Sequence, residues 1–116
     1  MRKRTIAIFA AALLMVRLSF AHAVLLEAKP AANGWVSGPD INVELRFNSR
    51  IDAVRSRLTL VLPDQTVRPL PVQSSSTPGS LSARTTGLGS GEYRLRWQVL
   101  AADGHITRGE LGFHVK

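Results

Sequence analysis

Three histidines, His22, His105 and His114, and one carboxylate, Asp103, are the residues of this 116-residue chain whose types and spacing point to metal chemistry. Asp103 and His105 lie two positions apart across Gly104 in "AADGHITRG". Residues i and i+2 of an extended backbone share a face, so a carboxylate and an imidazole can be aimed at one point. Two protein ligands alone make a weak site. His22 supplies more if it begins the mature chain, because a free α-amine and the ring Nδ1 of the same residue can hold one ion in a single chelate ring. An α-amine has an ordinary pKa of about 7.7–8.0, so a metal displaces its proton near neutral pH at modest cost. Three nitrogens and one oxygen suit tetragonal Cu(II).

Whether His22 is a terminus depends on the leader. The chain opens with Arg2, Lys3 and Arg4, runs through an apolar stretch from Ile6 to Val16 and reaches small residues at Ser19, Ala21 and Ala23. That is the layout of a secretory signal peptide. The apolar stretch falls short of the ~20 residues of a comfortable transmembrane span, so the mature protein is expected to be exported and not to span a membrane. Cleavage after Ala21, with Ser19 two residues before it, divides the chain into a leader, 1–21, and one domain, 22–116. Ala21-His22-Ala23 is itself an A-x-A, and a cut after Ala23 discards the histidine. The leader rules alone do not choose between them.

Removing residues 1–21 leaves 95 residues in which eleven Lys and Arg face eight Asp and Glu, and the formal charge falls from +7 to +3. The high overall charge is thus partly a targeting signal. The remaining arginines are scattered, with no basic run and no interleaved aromatics, and no nucleic-acid partner is expected. There is no cysteine, and both methionines, Met1 and Met15, leave with the leader. A thiolate metal site, a cysteine nucleophile and a thioether Cu(I) site are excluded from the mature chain. No G-x-S-x-G, phosphate-binding glycine loop or H-E-x-x-H occurs.

These candidates must be positioned by strands. Ile41, Val43, Leu45 and Phe47 alternate with Asn42, Glu44 and Arg46; Tyr93, Leu95, Trp97 and Val99 alternate with Arg94, Arg96 and Gln98; Leu111, Phe113 and Val115 repeat the pattern. Shorter strands are expected at 23–28, 56–62, 66–70 and 81–85, with the longest loop at 73–80 expected to be mobile. Six prolines and nine glycines leave little room for a long helix after the leader. About seven short strands in roughly 95 residues predict an all-β, antiparallel, immunoglobulin-like Greek-key sandwich. Asp103-Gly104 between two alternating runs is first of all a hairpin signal. His114, between Phe113 and Val115, should point away from the apolar face as a surface histidine. Trp35 and Trp97 read as core or rim packing, and Arg46, Arg50, Arg55 and Arg57 as an exposed edge protected by charge.

The stretches "HAVLLEAKPAANG", "INVELRFNSRID" and "GEYRLRWQVLAADGHITRGELGFHV" together resemble the CopC family of periplasmic copper-resistance proteins, in order and across essentially all of 22–116. The resemblance implies a periplasmic, non-enzymatic copper-binding sandwich whose mature chain starts at the histidine, which favours cleavage after Ala21. It also implies a Cu(II) site made by the amine and ring of His22, Asp103 near the metal, and the ring of His105. The expected role is a carrier or buffer in copper resistance or homeostasis, a monomer that delivers copper to an inner-membrane copper-transport protein. The methionine-rich Cu(I) site of one class of the family cannot be built here. Arg50 stands where a Glu-Pro pair often follows the phenylalanine strand, and Ile106-Thr107 replaces a common Pro-Val; both bear on partner binding more than on metal binding. Two other readings compete. A histidine brace also serves copper monooxygenases that attack polysaccharides, but this chain is short and lacks an aromatic platform near the proposed site. An immunoglobulin-like sandwich can also be a metal-free interaction module.

Overall fold

The computed structural model describes residues 23–73, 75 and 77–116. The proposed leader, 1–21, and His22 lie outside the described residues, as do Ser74 and Ser76 of the long loop. Eight strands follow in order: β1 (Leu25–Lys29), β2 (Trp35–Val36), β3 (Ile41–Phe47), β4 (Ile51–Val61), β5 (Val67–Leu70), β6 (Ser80–Thr85), β7 (Gly91–Ala101) and β8 (Ile106–Val115). They form a three-stranded sheet, β1-β3-β6, and a five-stranded sheet, β2-β8-β7-β4-β5. This is the immunoglobulin-like sandwich that the alternation predicts. Among the described residues no helix is long and apolar enough to cross a membrane.

The inward-facing residues of both sheets make one core. Val43, Leu45, Leu58, Leu60, Leu81, Leu95, Val99 and Phe113 are almost wholly buried. Burying each large apolar side chain is worth about 1.5–3 kcal/mol, and the cysteine-free domain has no covalent staple to add. Phe113 stacks on Tyr93 with ring centroids 5.6 Å apart, and Trp97 meets Phe47 edge-on at 6.4 Å. The Tyr93 hydroxyl donates to the carbonyl of Gly89 at 2.8 Å. A tyrosine bonding back to the turn just before its own strand is the corner found in immunoglobulin-like sandwiches.

Two strands differ from the expectation. The strand β2, two residues long, pairs in parallel with the end of β8, placing Trp35 opposite His114. Trp35 is therefore neither core nor rim: it is 63% exposed and stacks on the His114 ring at 4.5 Å. His114 does point away from the core as expected, but that stack half-buries it. The strand β4 begins at Ile51 rather than at residue 56, because its pairing with β7 slips between Asp52 and Arg57. It lies between β5 and β7, but β5 pairs only with Leu58–Val61, so Arg55 and Arg57 stand exposed on the part of β4 that β5 does not cover.

Candidate metal centre

The long hairpin β7–β8 carries Asp103 and His105 at its tip. Ala101 accepts from the Gly104 N–H at 2.9 Å and donates its own N–H to the His105 carbonyl at 2.9 Å. Gly104 has φ +89°, so the three-residue loop Ala102–Gly104 ends on a left-handed glycine, the second most common way to close a hairpin. Asp103 does not share that positive φ; its role in the turn is through its side chain. Its Oδ1 accepts the His105 backbone N–H at 3.0 Å, and its Oδ2 lies 3.1 Å from His105 Nδ1. The carboxylate thus clamps the histidine from backbone and ring at once. A carboxylate on Nδ1 orients an imidazole and directs the Nε2 lone pair outward, the usual outer support of a metal-bound histidine.

Two residues farther on, the Thr107 hydroxyl is buried with no hydrogen-bond partner among the described residues. Strand alternation places Thr107 on the same side of β8 as His105. The interior beside the hairpin tip therefore keeps one polar atom that the described protein groups do not satisfy, and such atoms call for a specific explanation.

The β3–β4 loop ties this tip to the start of the domain. Arg50 O accepts the Ala102 N–H at 3.0 Å. In the same loop Asn48 Oδ1 accepts the Val24 N–H at 2.8 Å, and the Asn48 N–H donates to Val24 O at 3.0 Å. Ala23, next to Val24, is 3% exposed. Residues 23–24 and the Asp103–His105 turn are thus fastened to one short loop at one end of the sandwich.

Below that end, the slip in β4 is stitched by side chains. Asp52 accepts from Arg55 twice, at 3.2 Å from N–H and at 2.8 Å from Nη1. Those bonds, the Arg55 guanidinium foremost, hold its carboxyl below the ordinary range against the opposing effect of desolvation. Ser56, nearly buried, donates its hydroxyl to Asp52 O at 2.7 Å and accepts the Leu100 N–H at 3.1 Å. The serine fills the gap in the ladder immediately before the hairpin tip. Sequence reasoning passed over Ser56 and Asn48; the available signal was a hydroxyl at an inward-facing position two residues before Leu58.

Of the sequence-predicted ligands, the fold brings Asp103 and His105 together. His22 lies outside the described residues, and among the described residues no group of three metal-ligating side chains forms. His114 is excluded from this site by distance. It sits nine residues along β8 from His105, about 30 Å at the rise of a strand, with its Nδ1 3.6 Å from Glu92.

Residues 25–116 match the CopC domain model. The chain belongs to the CopC family. Copper resistance protein C from Xanthomonas campestris pv. juglandis is 28% identical over 120 residues, covering 97% of this chain and 94% of the relative. Among solved structures, CopC from Methylosinus trichosporium OB3b superposes with a TM-score of 0.77 at 26% identity, covering 82% of this chain and 94% of that one. PcoC, a methionine-rich copper resistance protein from Escherichia coli, gives 0.67 at 25% identity over 83% and 100%. This CopC domain thus keeps the sandwich, although no methionine follows Met15.

Proposed function

We propose that this CopC-family domain is a periplasmic Cu(II) carrier that holds its cargo with the amine and ring of His22 and the ring of His105, with the Asp103 carboxylate near the metal. The observation that carries this reading is the Asp103–His105 clamp at the hairpin tip, fastened through one loop to residues 23–24. A chain that enters the domain beside the clamp brings its terminal ligands to the same end. The relatives' names supply copper and resistance; the absence of sulfur ligands after Met15 supports Cu(II), since nitrogen and oxygen donors favour it over Cu(I). Asp103 contributes a negative charge beside a dication. Transfer of one electron from an external reductant, giving Cu(I), then becomes the release step, because no soft ligand is present to retain the product. An inner-membrane copper-transport protein fits as recipient.

The decisive experiment compares Cu(II) affinity for the protein beginning at His22 with that of the same protein acetylated at His22, alongside the mass of the exported chain. Acetylation removes the amine and leaves every side chain, and a loss of at least a hundredfold is expected. Equal affinity, or an exported protein beginning at Val24, overturns the brace.

A further inference from the structure

The outer face of the five-stranded sheet gathers arginines that are far apart in sequence. Cross-strand rows run Arg57–Gln98–Arg108 and Thr59–Arg96–Glu110, and the next row sets Arg94 beside Gly112. Four guanidinium groups share this face with two carboxylates: Glu110, which bonds Arg94 at 3.1 Å and Arg96 at 3.3 Å, and Glu92 at its far end beside His114. The remaining side-chain partners are neutral: Arg108 donates to Gln98 at 3.0 Å and Arg94 to Gln65 at 3.1 Å. A cleft of about 420 Å³ opens between Arg57, Arg96 and Arg108.

The other sheet's outer face is balanced, with Glu27 on Arg46, Asp40 on Arg84 and Glu44 opposite Lys29. Four arginines against two carboxylates leave this face an excess of two positive charges out of the formal +3 of residues 22–116.

We propose that this face docks an acidic segment of a partner polypeptide in extended conformation. Successive rows on a strand face stand about 6.6–6.8 Å apart, which is also the spacing of alternate side chains in an extended peptide. Carboxylates at every second position therefore meet Arg108, Arg96 and Arg94 in turn. The face carries only arginine, whose planar fork grips a carboxylate through two parallel bonds where lysine offers a point charge. An anionic membrane would need positive charge without register and would accept lysine equally well. Arg108 is three residues from His105, so a segment seated here lies alongside the hairpin tip. The inference does not depend on the copper reading.

The test uses metal-free protein 22–116 and a fluorescein-labelled ten-residue peptide of alternating Glu and Thr at low ionic strength. Arg57→Glu with Arg108→Glu should weaken binding at least tenfold. The charge-matched control, Lys29→Glu with Arg84→Glu on the opposite sheet, should stay within about twofold. Thermal unfolding of both variants establishes that they fold. Equal losses in the two variants would reduce the effect to net charge and overturn the docking face. So would absence of peptide binding, including the case in which phosphatidylglycerol vesicles bind and the peptide does not.

Discussion

His105 is fixed before any metal arrives, since Asp103 holds its backbone N–H and faces its ring Nδ1. Pre-orientation of this kind lowers the ordering cost of binding. Replacing His105 with Ala removes an equatorial nitrogen and is expected to weaken Cu(II) binding at least a hundredfold in a chelator competition. His114→Ala, at the far end of β8, should change it less than threefold. A loss below tenfold at His105 would remove it from the ligand set. Asp103, Gly104 and His105 were legible in the sequence because a turn signal and a ligand spacing coincide in five residues. The clamp's link to residues 23–24 was not legible, because it runs through the Asn48 side chain and the backbone groups of Asn48 and Arg50, which no local pattern pairs with Val24 and Ala102.

The strands β3, β7 and β8 were legible because period-two alternation runs unbroken through them. The beginning of β4 was not, since its ladder slips between Asp52 and Arg57 and the slip breaks the period on which a sequence reading depends. Two residues are too few for any period, so β2 was invisible as well; backbone bonds from His114 N–H to Gly34 O and from Lys116 N–H to Val36 O hold it on β8, and Trp35 stacks on His114 beside them. The repair of β4 by Ser56 yields a prediction. Ser56→Ala deprives the Leu100 N–H of its acceptor, and an unsatisfied part-buried donor costs about 1–3 kcal/mol. Urea unfolding should show that loss. Faster amide exchange at Leu100 than at Leu95, relative to the parent, should place it next to the hairpin tip; uniform acceleration along β7 would contradict the assignment.

Across the whole molecule, charge is arranged by face rather than by sequence neighbourhood. The arginines at 57, 94, 96 and 108 look scattered until the register of β4, β7 and β8 aligns them; that is why composition alone pointed away from a cationic surface. Guanidinium groups stay charged at all accessible pH values, so the face persists in acid while some carboxylate bonds elsewhere do not. Asp52 and Asp64 are held below their ordinary range, Asp52 chiefly by the Arg55 guanidinium and Asp64 chiefly by the Thr66 hydroxyl. For a carboxyl whose folded pKa lies below its unfolded one, the unfolded chain takes up protons first as pH falls. The stabilisation is therefore complete above the unfolded value, about 3.9, and disappears as pH drops through the lowered folded value. Asp52→Asn removes this titration while keeping an acceptor for the Arg55 N–H. The variant should be less stable than the parent at pH 7, and the gap between their urea midpoints should shrink as pH is lowered below about 4. A gap that stayed constant down to pH 2 would show that the Asp52 charge contributes nothing to holding the slipped segment of β4 in place.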